Sequence, residues 1–199
     1  MTHPPPVCGS RRPPPGPRSG YSLVEVMLVL VLMGILLALA GPRINLSPTR
    51  TEAGVQALAS ELMAAQRAAV SGQHDVVVAF DQAQRRLRVH FDLDNDGVMD
   101  SGEPVQMKPL ERGVVFGRGS AGTLAQLGSQ PVSFTRTQGG LRAVTFNRAG
   151  SASEEGGAYL SALPAVSPPA SSTRAVLVDR ATARAMVWRY TGSAWQRRF

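Results

Sequence analysis

Apolar residues are unevenly distributed along this chain. From Leu23 to Ala40 every position is apolar or glycine except Glu25. Valine, leucine and methionine fall on all faces of a helix drawn through the run, unlike the one-sided stripe of a soluble amphipathic helix. Its eighteen residues reach the lower limit for crossing a ~30 Å hydrocarbon core. The pattern predicts a membrane-spanning helix over 21–41. Gly41 and Pro42 permit a kink. Apolar positions then return with a different rhythm: Val55, Leu58, Ala59, Leu62, Ala65 and Ala69 recur at spacings of three and four, one face of a helix. This predicts an amphipathic helix within 42–72. Thr51 is its candidate cap, Glu52 lies in its first turn, and Ser71-Gly72 is the stop. If nearly continuous, a helix over 21–71 would be about 75 Å long.

Beyond Gly72 the period becomes two. DVVVAFD (75–81) and RRLRVHFD (85–92) flank a short turn and read as a hairpin. In the second, Leu87, Val89 and Phe91 alternate with Arg86, Arg88 and His90, which predicts His90 on a half-exposed strand surface. Further strands are expected at 104–108, 113–117, 131–135, 142–147, 158–162, 173–180 and 183–190, the last two as a closing hairpin. The segment 162–173 reads as a mobile loop. A leading helix followed by many short strands predicts an α+β protein. Its long N-terminal helix, membrane-spanning in the first half, would pack on a mostly antiparallel sheet formed by a β-rich domain over 73–199.

Composition changes this picture mainly at the N-terminus. Residues 1–20 are rich in proline and arginine and contain no apolar run, so they pack no core and read as a disordered or discarded leader. An ordinary secretory signal is cut after its apolar run. Here the plausible cut, Gly20–Tyr21, precedes the run, and the run is retained. The formal charge is +7, and Arg11, Arg12 and Arg18 precede Tyr21, leaving +4 on the remainder. Basic residues before the span, against Arg43 after it, favour a cytoplasmic N-terminus and a periplasmic domain. The single cysteine, Cys8, also precedes the cut. The mature chain would have no thiol, which suits an oxidising compartment.

Glu25 needs an explanation, because a charge within a span costs about 2.5–3.5 kcal/mol at the centre and less near an end. Its context, GYSLVE followed by the apolar run, resembles the type IV prepilin signal of pilins and of the pseudopilins of type II secretion. The resemblance covers residues 19–46, with tyrosine where phenylalanine is commoner. It implies that a prepilin peptidase cuts after Gly20 and methylates the new N-terminus at Tyr21. It also implies that Glu25, the fifth mature residue, serves assembly. Cutting frees an α-amino group that is positive at neutral pH, and the glutamate of one subunit can neutralise the amine of its neighbour. The order of elements over 52–190, and motifs such as VTFNRAG, resemble the GspH/FimT group of minor pseudopilins and pilins.

The segment DLDNDGVMDSGE (92–103) matches the twelve-residue calcium template. Asp92, Asp94 and Asp96 stand at positions 1, 3 and 5, with Gly97 at the sharp turn. Val98 would offer a carbonyl, Asp100 stands at position 9, and Glu103 would close the shell. Calcium (Ca2+) would pin the loop between its flanking strands, in the weak extracellular affinity range of about 10⁻⁴–10⁻³ M. The competing reading is an Asp/Gly-rich surface turn. No other cofactor is indicated. The flanks are strand-like, so this is not an EF-hand.

No G-x-S-x-G elbow, P-loop or H-E-x-x-H occurs, and the histidines are His3, His74 and His90. Glu154 and Glu155 have no evident acid–base partner in sequence. At the C-terminus Arg184, Arg189, Arg197 and Arg198 interleave with Trp188, Tyr190, Trp195 and Phe199. Such a pattern can grip nucleic acid, with Arg197 and Arg198 as candidates. Without a lysine cluster, an edge hairpin with arginines outward is favoured over that role. The function expected from the resemblance is a non-enzymatic minor pseudopilin of type II secretion. Its partners would be prepilin peptidase, other pseudopilins or pilins, and inner-membrane lipid. The alternatives are a FimT-like minor pilin in pilus assembly or DNA uptake, and a membrane-tethered calcium-dependent binding module.

Overall fold

The computed structural model describes residues 20–40, 47–163 and 169–198; the side chains of 38–40, 47 and 48 are outside the described set. The leader before Gly20, the Gly41-Pro42 kink, part of the 162–173 loop and Phe199 therefore lie outside the described residues. The chain divides into two compact units, Met1–Ile44 and Asn45–Phe199.

The first unit contains α1 (Leu23–Ala40), eighteen residues with Glu25 in the first turn. Its leucines, valines and methionines are exposed on every side, as expected for a helix with no polar face. Among the described residues no helix is long and apolar enough to cross a membrane. The expected span is thus found as a helix, and its crossing of a bilayer is not supplied by the structure.

The second unit opens with α2 (Ser47–Gly72). Val55, Leu58, Ala59, Leu62, Ala65 and Ala69 are all buried along it, the face that the spacing predicts. Its start differs from expectation. Thr51 is buried inside the helix rather than capping it, because the first turn is built from Ser47 and Pro48. A proline there loses no hydrogen bond, since the first N–H groups of a helix have no intrahelical partner. The stop falls as expected: α2 ends at Gly72 and Gln73 turns left-handed at φ 56°.

Among the described residues ten strands follow: β1 (Asp75–Asp81), β2 (Arg86–Asp92), β3 (Val105–Pro109), β4 (Val114–Phe116), β5 (Thr137–Gln138), β6 (Leu141–Phe146), β7 (Gly156–Ala162), β8 (Arg174–Val178), β9 (Ala185–Tyr190) and β10 (Trp195–Arg197). They form two five-stranded sheets, ordered β3-β2-β1-β6-β5 and β10-β9-β8-β7-β4. Every pairing is antiparallel. The fold is α+β, as the residues predict, but with two sheets rather than one. Segment 131–135 is not a strand. It makes one bridge, Val132 to Ala158, beside β7.

One core joins both sheets to α2. Val76, Val78 and Phe80 from β1 meet Leu58 and Leu62 from α2 and Leu160, Val176 and Val178 from the second sheet. Phe80 links the layers, with ring centroids 5.7 Å from Phe116 and 5.3 Å from Phe134. The outer face of the second sheet is also covered. Leu124 and Leu127 pack on Tyr159, Ala175 and Leu177, flanked by Trp188 and Trp195. Trp188, Tyr190 and Trp195 are therefore packed, and Arg184, Arg189, Arg197 and Arg198 are exposed.

Candidate functional site

The N-terminal features sit at the head of α1. Gly20 and Tyr21 precede the helix and are exposed, with nothing within 4 Å of a Cβ built at Gly20. The first helical hydrogen bond runs from Val26 N–H to Ser22 C=O, 3.1 Å. The Gly20–Tyr21 peptide is thus outside the hydrogen-bonded ladder. Glu25 lies in the first turn and is exposed. A carboxylate there faces the unpaired N–H groups and the positive end of the helix dipole. An α-amino group created at Tyr21 would lie about one turn away.

The acidic loop is organised around its own carboxylates. Asp92 ends β2, and its two oxygens accept from the backbone N–H of Gly97 at 2.8 Å and of Asp96 at 3.1 Å. Asp94 also accepts from Asp96 N–H, and Asp96 accepts from Val98 N–H. These bonds curl the chain, and Asn95 at φ 64° and Gly97 at φ 81° take the left-handed turns this demands. Asp92, Asp94 and Asp96 each bring one oxygen within 4.8 Å of the others. Burial pushes the Asp92 carboxyl above its ordinary range, and the nearby Glu103 charge adds to this. A cation would reverse both effects.

Asp100 and Glu103 do not join that group among the described residues. Glu103 closes the loop differently. Its oxygens accept from Leu93 N–H at 2.8 Å and Asp100 N–H at 3.0 Å, and from His90 Nε2 at 2.6 Å. The Asp100 N–H first, then the His90 bond, hold the Glu103 carboxyl down to about 2. His90 corrects the sequence reading. It is fully buried rather than on a strand surface. The Gln138 amide donates to its Nδ1 at 3.0 Å, so Nε2 carries the proton that Glu103 accepts. Alternation placed His90 on the outer face of the first sheet correctly. It could not show that the end of β5 reaches over that face, where Arg88 donates to the Gln138 carbonyl at 2.6 Å.

Two further carboxylates were not legible as site residues. Glu154 accepts from Thr135 N–H, Thr135 Oγ1 and Arg136 N–H; it ties a surface turn to the 131–135 segment. Glu52, read as a first-turn acid, instead accepts from Arg174 Nε at 2.7 Å and from Arg198. Of the two nucleic-acid candidates, Arg198 is thus partly engaged by Glu52. Arg197 lies exposed opposite Trp188 on β10.

Residues 17–41 match the prokaryotic N-terminal methylation motif. That methylation motif takes in the Gly20–Tyr21 junction, Glu25 and all of α1. The solved structure of the minor pseudopilin EpsH from the Type 2 Secretion System of Vibrio cholerae resembles this chain at a TM-score of 0.43 and 14% identity, over 73% of this chain and 99% of that one. No curated protein matches the chain.

Proposed function

We propose that this chain is a structural subunit of a pilin-like filament, a minor pseudopilin of type II secretion. A prepilin peptidase cuts between Gly20 and Tyr21 and methylates the Tyr21 amine. α1 then anchors the subunit in the bacterial inner membrane, with the 45–199 unit in the periplasm. On assembly, Glu25 of one subunit meets the terminal amine of its neighbour, and correct stacking relieves the cost of a carboxylate among apolar side chains. The observation that carries this reading is the methylation motif, with a cut site outside the helix and an acid in its first turn.

Mass spectrometry of the membrane-bound chain tests it. The expected species begins at Tyr21 and is one methyl group heavier than the plain cut chain. An intact leader sinks the proposal. Given cleavage, Glu25→Gln and Glu25→Ala should be processed normally but excluded from the filament. If either joins as well as the native chain, the role given to Glu25 is wrong.

A further inference from the structure

Exposed arginines gather at one end of the 45–199 unit. Arg50 lies in the first turns of α2, and its guanidinium stands beside Gly113. Arg85 and Arg112 line a shallow cleft with that same glycine. On the other flank Arg189 and Arg198 line a hollow with Thr49, Glu52 and Ala53. All five arginines are exposed. Of the acids lining these hollows, Glu52 is already held by Arg174 and Arg198, which leaves Glu111.

The opposite end is richer in acids, although Arg148, whose backbone N–H donates to Asp75 Oδ1, is exposed there too. α2 has 26 residues, about 39 Å at 1.5 Å per residue. Just past its last residue, Asp75 N–H donates to Asn95 Oδ1 at 2.7 Å, which fixes the acidic loop at that end. Asp94, Asp96 and Asp100 are exposed there. An anionic surface would attract the arginine end and repel the acidic loop, so it would orient the unit as well as hold it.

The chain's connectivity selects the surface. Seven peptide links separate Ala40, the last residue of α1, from Ser47, the first of α2, at most about 25 Å when fully extended. If α1 is inserted in a membrane, a linker of that length keeps the start of α2 within reach of the headgroups. We propose that these arginines dock the 45–199 unit on the anionic phospholipid headgroups of the membrane that holds α1, with the acidic loop directed away. This rests on the reading of α1 as a membrane anchor. It adds a charge-dependent resting state that a subunit must leave on entering a filament.

The test uses the full chain with Cys8→Ser, reconstituted in vesicles of phosphatidylcholine alone or mixed with phosphatidylglycerol. A fluorophore is placed at Gln84→Cys, at the arginine end, or at Ser101→Cys, in the acidic loop; the quencher sits on the lipid headgroups. Quenching at position 84 should appear with phosphatidylglycerol, fade with added salt and be absent at position 101. Each of Arg50→Gln, Arg85→Gln and Arg112→Gln should lower the ratio of docked to undocked units about fivefold. Equal quenching in both lipids, or equal quenching at the two positions, overturns the proposal. So does binding of a DNA duplex by the detergent-solubilised chain if lipid charge has no effect. Flotation with neutral vesicles reports α1 separately. If it fails, the anchor fails; if it succeeds without a charge effect, only the docking falls.

Discussion

Replacing Glu52 by alanine should be among the most damaging single changes on the surface of the 45–199 unit. Its carboxylate receives the Arg174 Nε–H at 2.7 Å, and the Arg174 side chain is only 4% exposed. The rest of that guanidinium reaches the carbonyls of Ser171 at 2.7 Å and Thr173 at 3.0 Å. Removing the carboxylate leaves a buried cation with only neutral acceptors. Breaking a fully buried pair from one side costs about 3–5 kcal/mol. Glu52 is 26% exposed, so water compensates in part and about 2–3 kcal/mol is the expected loss. Arg198 is half exposed and adds little. For a unit of this size the loss corresponds to a melting-temperature drop of about 5–10 °C. The assay is thermal or urea unfolding of the detergent-solubilised chain, followed by tryptophan fluorescence. Both tryptophans, Trp188 and Trp195, lie in this unit. Burial raises the Glu52 carboxyl, but the Arg174 hydrogen bond and charge outweigh it, and the net direction is down. A depressed carboxyl stabilises the fold above its ordinary value of 4.5, and that contribution is lost as pH falls through the folded value. The gap between native and Glu52→Ala chains should therefore narrow on acidification. A loss under about 0.5 kcal/mol at neutral pH, or a gap that widens in acid, would refute the reasoning.

Three other outcomes follow from the loop and the sheet. Glu103, held at about 2 against an ordinary 4.5, stabilises the fold above pH 4.5 and loses that contribution between 4.5 and 2; Glu103→Gln should flatten the acid limb of the stability curve, and an unchanged limb rejects the loop closure described. Calcium at Asp92, Asp94 and Asp96 should raise the melting temperature, and Asp94→Asn with Asp96→Asn should abolish the rise; no difference between calcium and chelator removes the ion from the loop. Gly157→Ala would place a Cβ 1.8 Å from the Val176 carbonyl oxygen on β8, where no side chain can move aside. The expected loss exceeds about 3 kcal/mol, and a variant of native stability by urea titration shows that the strands can part there without cost.

Much of the architecture was legible because it rests on local periodicity. The buried face of α2, the β1–β2 hairpin and the β8–β9 hairpin all follow from side-chain alternation within one segment. The failures share a different cause. Helix initiation at Ser47-Pro48 was missed because Thr51, followed by an acid, mimics a cap. The 131–135 segment has strand composition, but only Val132 bridges to a neighbour. His90 was assigned to a surface because its polar face was visible in sequence and the turn that covers it, some fifty residues later, was not.

The N-terminal motif was legible before any folding was considered. A Gly-Tyr junction, an acid and a long apolar run lie next to one another in the chain, so the match over 17–41 needs no tertiary contact. Equally legible was a carboxylate-rich turn over residues 92–103, since alternating acids around a glycine hydrogen-bond their own backbone. Where the acidic side chains point is set by residues distant in the chain. Glu103 turns to His90 and Glu52 to Arg174 because residues 13 and 122 positions apart are brought together by strand order, and burial makes an unpaired charge too costly to leave. The grouping of Arg50, Arg85 and Arg112 at one end of the unit and of Asp94, Asp96 and Asp100 in a loop at the other has the same origin: residues scattered along the chain become neighbours only when the sheets pack on one helix.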